Sequence, residues 1–297
     1  MENLNKCLVC GHTNFTKEIT CTDFVATGHT FDLCRCNNCS FLFTNPRPDA
    51  NHIGPYYQSD RYISHAGNKK GFSFMYRIYD VVRNYSIKQK IKHIKTYHNG
   101  GKFMDLGCGL GYFLDGVVKD GAFDAIGVDI SEDAVNYVKK TFGYDVKLES
   151  ELDRMQPKSF DVITQWHVLE HIHLINERMQ QLKLLLKNTG TLFIAVPNSE
   201  SWDAKYYGPF WDGYDVPRHL YHFNQASFAL LMQKHGFKIV ETRSMPFDAP
   251  YISMRSEVHK KNSFVFIRGA ISGLISTINA KKAMNHSSLL YVVKHAD

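Results

Sequence analysis

The sequence has no apolar run of the ~20 residues that a membrane-spanning helix needs. The best attempt, residues 264–278, is short and contains Arg268. Residues 1–10 are too polar to form a secretory signal peptide. We therefore expect a cytoplasmic protein that has no membrane segment and no membrane partner.

A large excess of one charge is also missing. The chain has 35 Lys and Arg residues against 29 Asp and Glu residues, a formal net charge of +6. It has no arginine-rich stripe and no basic patch interleaved with aromatic residues. This balance permits a polyanionic partner such as RNA but does not favour one. We therefore do not expect a nucleic-acid partner, and RNA stays an alternative.

Cysteine is nearly absent after residue 40, where only Cys108 occurs. The other six of the seven cysteines precede it, and disulfides are rare in the cytoplasm. Two C-x₂-C pairs are separated by 25 residues, and they consist of Cys7, Cys10, Cys36 and Cys39. Four thiolates complete a tetrahedral zinc site with no open position. The pattern predicts structural zinc, with Cys21, Cys34 and His12 as spare residues, although Cys34 could compete with Cys36 as a ligand.

The 297 residues are enough for one large α/β domain and a small accessory module. We predict a zinc-binding ribbon at 1–48, and an aromatic loop with a helical connector at 49–100. The α/β domain then occupies 101–297, with an insertion at about 245–287. Within these segments we predict helices at 72–97, 174–187 and 225–235, and strands at 102–106, 125–130, 146–148, 160–166, 191–196, 237–243 and 288–294. Strands that alternate with helices predict a mainly parallel sheet with helices on both faces.

The central motif is a glycine loop at residues 103–113, FMDLGCGLGYF. Gly107, Gly109 and Gly111 alternate after a predicted strand, where glycine lets the backbone turn and approach a ligand closely. The third glycine comes one residue too soon for a dinucleotide loop, and Asp105 precedes the first. The loop therefore suits a ligand that has no pyrophosphate. We interpret Cys108 as a small residue that fits this loop, not as a nucleophile.

An acidic residue ends the next predicted strand. Asp129 lies 22 residues after Gly107, where a carboxylate can accept hydrogen bonds from two ribose hydroxyls. The neighbouring Ile130 could pack on an adenine face. The alternative, that Asp129 only caps the helix beginning after Ser131, is less consistent with the preceding loop.

Three ordered motifs resemble those of class I S-adenosylmethionine-dependent methyltransferases: DLGCGLG at 105–111, GVDIS at 127–131 and FDVITQWHVLEHI at 160–172. The resemblance implies a Rossmann-like sheet of seven strands, the last antiparallel, and S-adenosylmethionine as cofactor. It implies that the loop glycines surround the methionine moiety and that Gln165 lies near the cofactor. The cofactor-binding residues are then expected to be Asp105, Gly107, Cys108, Gly109, Gly111, Asp129, Ile130 and Gln165. The segment at 149–152 lacks the family's usual adenine contacts.

Two segments contain the candidate acceptor-side residues. His167 follows the strand whose end faces the methyl group in this fold, and it is a candidate general base. The polar, aromatic segment 211–223 resembles one found in many bacterial small-molecule methyltransferases. Within it we predict His219 as a second base, and Arg218 and His222 as substrate contacts. Tyr57 in the aromatic loop is a further predicted substrate contact, although all of these residues could instead brace their loops.

The cysteine-rich segment with its FLFTNPRP sequence at 41–48 resembles zinc ribbons that precede some bacterial methyltransferases, of which some act on sugars and others on ribosomal RNA. We therefore predict methyl transfer from S-adenosylmethionine to a small molecule by direct in-line displacement, at an oxygen, nitrogen or carbon atom. The alternatives are an RNA methyltransferase that grips its substrate with the ribbon, and a catalytically inactive zinc-ribbon scaffold.

Overall fold

The computed structural model describes residues 1–58, 73–245, 247–280 and 284–296, with the backbone alone for 73–79. Among these, the strands are β1 (Phe15–Thr22), β2 (Thr30–Cys36), β3 (Leu42–Thr44), β4 (Gly101–Leu106), β5 (Phe123–Asp129), β6 (Val146–Leu148), β7 (Phe160–Trp166), β8 (Leu186–Pro197), β9 (Tyr221–His222), β10 (Phe237–Ser244) and β11 (Ser288–His295). The α-helices are α1 (Ser73–Ile94), α2 (Tyr112–Asp120), α3 (Glu132–Phe142), α4 (Ile175–Leu185), α5 (Trp202–Tyr207), α6 (Gln225–Lys234), α7 (Asp248–His259) and α8 (Val265–Ala280). Short 3₁₀ turns include Gly54–Tyr57 and Leu169–His171.

The main sheet has seven strands in the order β10-β11-β8-β7-β4-β5-β6. The five strands from β8 to β6 are parallel, whereas β11 is antiparallel to both β8 and β10. The predicted seven-stranded sheet with an antiparallel last strand is confirmed. Strand β4 is parallel to its two neighbours, β5 and β7. The carboxyl ends of the three strands therefore meet at one edge, where open α/β sheets bind ligands.

Helices cover both faces of this sheet, as the alternation of strands and helices predicts. Successive residues of β4 point to opposite faces. Phe103 packs in a cluster with Ile94 of α1, and Met104 packs in another with Met179 of α4. The two faces are therefore closed by different helices.

One predicted helix ends earlier than its local pattern suggests. Helix α4 stops at Leu185, and the next residue begins β8. Leu186 pairs with Phe160 across the β7–β8 ladder, and an irregularity follows before Thr191. Pairing with a neighbouring strand therefore overrides the helical periodicity of residues 186–187.

The N-terminal ribbon is completed by the α/β domain. Its sheet has the order β1-β2-β3-β9, and the short strand β9 lies far along the chain. Leu42 pairs with His222 and Phe43 with Tyr221. Residues of the ribbon and of α4 share one apolar cluster. Residues on both sides of the predicted boundary at residue 48 thus share one sheet and one apolar cluster.

The insertion between β10 and β11 contains the helices α7 and α8. Helix α7 begins at Asp248, a few residues after β10 ends near the ligand edge of the sheet. None of the described helices is long and apolar enough to cross a membrane. Tyr62 of the predicted aromatic loop lies outside the described residues.

Candidate active site

The glycine loop between β4 and α2 has the backbone that its sequence requires. Gly107, Gly109 and Gly111 have φ angles of 81°, 52° and 76°, in the left-handed region that side chains disfavour. The amides of Gly107 and Cys108 donate to the carbonyl of Val128 at 2.7 and 3.0 Å. These bonds fasten the loop to the end of β5. These bonds therefore hold the loop at the carboxyl edge of the sheet, where a ligand can approach its backbone.

Gly107→Ala is expected to disrupt this loop. A Cβ on Gly107 would lie 2.3 Å from Cγ2 of Val168, so the collision adds to the unfavourable φ. A matched control is Gly121→Ala, at φ 76° with no atom within 4 Å. We expect the control to cost about 1–2 kcal/mol, the left-handed penalty alone, and Gly107→Ala to cost more. Urea denaturation compares them, and equal losses would contradict a close approach of Val168.

Asp129 is fixed beside the glycine loop. Its Oδ2 accepts a hydrogen bond from the Gly109 amide at 2.7 Å, and its Oδ1 accepts one from the Ser131 amide at 2.9 Å. Ser131 itself caps α3 through its hydroxyl, which accepts from the Ala134 amide. The carboxylate is therefore oriented in advance for a ligand. The side chain of Ile130, 77% exposed, is free to pack on a flat ring.

Two further residues of the predicted cofactor set are buried. Thr164 donates a hydrogen bond to Asp105 Oδ1 at 2.7 Å, and burial raises the pKa of Asp105 to about 7. Burial also raises the pKa of the Cys108 thiol well above its ordinary value. Cys108 is thus held as a neutral thiol, which agrees with its interpretation as a small packing residue.

Gln165 provides the test of whether a cofactor fits. This residue of β7 is 1% exposed, and neither its amide nitrogen nor its amide oxygen has a hydrogen-bond partner among the described residues. A buried polar group left unpaired costs about 1–3 kcal/mol. A buried amide without partners, next to the carboxyl end of β7, is suited to a bound molecule. Together with the loop and Asp129, it fits S-adenosylmethionine.

His167 lies directly after β7, at φ 57°. Its Nε2 is 3.1 Å from Asp248 Oδ2, and its Nδ1 is 3.4 Å from Glu170 Oε1. Burial disfavours the charged ring, but the two carboxylates outweigh burial and raise the pKa of His167 to about 9. Asp248 was not predicted from sequence, because it comes from the insertion, 81 residues along the chain.

The segment after His167 meets the loop that precedes β9. The rings of His171 and His219 are edge-to-face, with centroids 4.6 Å apart. His171 Nδ1 lies 3.1 Å from the Tyr57 hydroxyl. The structure therefore brings His171 together with three predicted residues, Tyr57, His167 and His219. The fully buried Glu170 lies beside them.

The side chains of Arg218 and His222 have their hydrogen-bond partners outside this cluster. Arg218 is 1% exposed, and its guanidinium donates to Asp215, to Asp23 and to the carbonyl of Tyr56. His222 Nε2 lies 3.1 Å from the Thr44 hydroxyl of β3. Both residues contact the N-terminal ribbon. The geometry of Arg218 does not favour the predicted substrate role, because its donors already face protein acceptors. The substrate role of His222 stays a prediction, and its buried Nδ1 has no hydrogen-bond partner among the described residues.

Arg218→Met should therefore act on stability. It leaves the carboxylates of Asp23 and Asp215 in the protein interior without their cation, which typically costs about 3–5 kcal/mol. The control Arg255→Met removes a quarter-exposed partner of Asp212 and should cost under about 1 kcal/mol. Urea denaturation measures both. A fully stable Arg218→Met protein with weaker acceptor binding would restore the substrate interpretation.

The four predicted metal ligands converge. The sulfur atoms of Cys7 and Cys39 are 3.5 Å apart, as are those of Cys10 and Cys36, and all four lie within 4.8 Å of one another. Zn–S bonds of about 2.3 Å require sulfur atoms about 3.8 Å apart, so the set fits tetrahedral zinc. Cys34 is not part of this group, and its thiol contacts the Asn45 carbonyl.

The sheet order, the glycine loop and the acidic residue after β5 define a class I S-adenosylmethionine-dependent methyltransferase. The family model described as a methyltransferase domain matches residues 79–242, more than half of the chain. The chain belongs to this family.

Curated relatives are ubiquinone biosynthesis O-methyltransferases. The one from Pelagibacter ubique is 27% identical over 124 residues, which cover 40% of this chain and 50% of the relative. The one from Methylococcus capsulatus is 33% identical over 106 residues, 33% of this chain and 44% of the relative. The chain thus spans about half the length of the curated relatives it matches.

A solved structure of a candidate sarcosine dimethylglycine methyltransferase from Galdieria sulphuraria also resembles the chain. Its TM-score is 0.51 at 16% identity, and the match covers 74% of this chain and 88% of that one. A likeness at this identity shows the shared fold alone.

Proposed function

We propose that the protein transfers the methyl group of S-adenosylmethionine to a small-molecule acceptor. The observation that carries this proposal is an enclosed polar cluster next to the glycine loop. Glu170 is 0% and His219 9% exposed, and Val168 in the same segment touches Gly107. A cluster so enclosed suits a small acceptor better than a macromolecule. Similarity to the ubiquinone biosynthesis O-methyltransferases supports an acceptor of that size.

The proposed reaction is a direct displacement. An oxygen, nitrogen or carbon atom of the acceptor attacks the methyl carbon, and the bond from that carbon to the sulfonium sulfur breaks. The products are the methylated acceptor, a neutral thioether and, where the attacking atom carries a hydrogen, a proton that passes to the general base or to water. The glycine loop, Asp129, Ile130 and Gln165 bind and orient the cofactor, and the enzyme contributes chiefly proximity.

His167 is proposed as the general base on the acceptor side, oriented by Asp248. Because its pKa is about 9, only the neutral fraction of the ring can accept a proton, so the rate of methyl transfer is expected to rise with pH up to about 9. General acid–base catalysis contributes about 10²–10⁴-fold. His167→Gln should therefore lower the rate of methyl transfer about 100-fold while the Kd for S-adenosylmethionine stays unchanged. The control is His173→Gln, in the same segment but bonded to the Pro48 carbonyl. Equal rates for both variants would remove His167 from catalysis.

We also propose that Cys7, Cys10, Cys36 and Cys39 hold one structural zinc ion. Four thiolates fill its coordination sphere, so the ion supplies stability and no chemistry. The convergence of the four sulfur atoms supports this assignment.

The test of the function uses methyl-labelled S-adenosylmethionine and a cell lysate separated into small-molecule and macromolecular fractions. Label in the small-molecule fraction supports the proposal and gives a compound to identify. Label in RNA would instead support the alternative of an RNA methyltransferase that binds its substrate through the N-terminal ribbon. A protein that binds S-adenosylmethionine but labels neither fraction would favour the inactive scaffold.

A further inference from the structure

Glu170, His171 and His219 form a cluster that has the composition of a metal site. One carboxylate oxygen and one nitrogen from each ring all lie within 4.8 Å of one another. Donors on opposite sides of one divalent ion at ordinary bond lengths are about 4 Å apart. Small side-chain rotations would therefore let all three reach a single ion. None of these three residues is one of the four cysteines or one of the predicted cofactor contacts.

Backbone carbonyls fix the orientation of both rings. His171 Nδ1 is 3.0 Å from the Arg218 carbonyl oxygen, and His219 Nδ1 is 2.9 Å from the Gly213 carbonyl oxygen. A carbonyl oxygen only accepts, so both carbonyls are satisfied by the tautomer in which Nδ1 of each ring donates, with the Tyr57 hydroxyl as a second acceptor beside Nδ1 of His171. In the neutral rings Nε2 then carries a lone pair. Metal-binding histidines are oriented in this way by their second nitrogen.

The carboxylate of Glu170 adds a third acceptor. It is 0% exposed, and neither oxygen accepts a hydrogen bond from the described part of the chain; the nearest donor, His167 Nδ1, is 3.4 Å from Oε1. Glu170 thus has an ion-pair contact with His167 but no hydrogen bond from the described residues, which is unfavourable for a buried carboxylate. A divalent cation held by Glu170 together with the two rings would satisfy its oxygens.

We propose that Glu170, His171 and His219 bind one divalent cation. Two histidines and one carboxylate are a ligand set for first-row divalent metals, and they leave coordination positions open for water or an oxygen-bearing ligand. His167 contacts the same carboxylate, with its Nδ1 3.4 Å from Glu170 Oε1. Cation binding goes beyond methyl transfer and is measured without turnover, so it stands or falls independently of the proposed function.

The test titrates Mn²⁺ into the full-length, zinc-loaded protein and follows the free ion by electron paramagnetic resonance. Thiolates prefer zinc, whereas carboxylate sites accept Mn²⁺, so the cysteine site does not compete. We expect one Mn²⁺ per chain in addition to zinc. Glu170→Gln should weaken binding at least tenfold, and Glu177→Gln, an exposed carboxylate on α4, should leave it unchanged.

A second measurement on the wild-type protein needs no variant, since Glu170→Gln could fail to fold. Electron spin-echo modulation of bound Mn²⁺ should reveal two imidazole nitrogens. Absence of a second ion, absence of nitrogen coupling, or a folded Glu170→Gln protein that binds Mn²⁺ as tightly as Glu177→Gln would each overturn the proposal.

Discussion

Cys36→Ser is expected to release the zinc ion and to lower the melting temperature by about 10 °C or more. Cys36 ends β2, and the apolar cluster around it extends into α4 and β9. Phe41, 0% exposed, stacks on Tyr221 at 5.7 Å between ring centroids. If the second cysteine pair opens, this contact loses its support, and part of the core of the α/β domain is exposed to water. Metal analysis and calorimetry measure the two effects.

Cys34→Ser is the matched control, since Cys34 is a buried cysteine in the same strand that lies outside the sulfur cluster. It should keep one zinc ion per chain and lose only the small free energy of a buried thiol. If Cys34→Ser lost zinc and Cys36→Ser kept it, the ligand assignment would be reversed. If Cys36→Ser lost zinc without any loss of stability, the ribbon would fold independently of its metal.

The parts of the fold that were predicted from sequence are those set by neighbouring residues. Strands β6 and β7 begin and end at the predicted residues, and each begins on a buried apolar residue, Val146 or Phe160. The glycine loop was recognised because its backbone angles depend on residue types at fixed spacing. The end of α4 was missed, since the pairing of Leu186 with Phe160 has no local signal.

The acceptor side was predicted only in part, because its contacts join distant segments. His167 was identified, but its partner Asp248 lies in an insertion that has no recognisable motif. Arg218 was interpreted as a substrate contact from its residue type and from the resemblance of segment 211–223 to one in small-molecule methyltransferases. Its partner Asp23 is in the ribbon, 195 residues away, and sequence spacing gives no indication that the two meet. Polar residues in a loop therefore predict where function lies more reliably than they predict which residue performs it.

Asp129→Ala is expected to raise the Kd for S-adenosylmethionine at least about tenfold. Hydrogen bonds to a charged acceptor contribute about 1.5–3 kcal/mol each, and about 1.4 kcal/mol corresponds to a factor of ten. The change would remove the acceptor for the ribose hydroxyls and also the Gly109 amide contact at 2.7 Å that shapes the loop. Isothermal titration with S-adenosylmethionine measures the affinity directly. Asp129→Asn should lose less, since its amide oxygen still accepts one hydrogen bond.

The control for Asp129 is Asp133→Ala, an exposed carboxylate in the first turn of α3. It removes the same charge a few residues away and should leave the Kd unchanged, because it does not contact the loop. If both variants weakened binding equally, a general electrostatic effect would explain the loss. If Asp129→Ala bound S-adenosylmethionine as tightly as the wild type, Asp129 would only cap α3 through the Ser131 amide. A large loss confined to Asp129 identifies its carboxylate as part of the cofactor site, either as the ribose acceptor or through the Gly109 amide contact that shapes the loop.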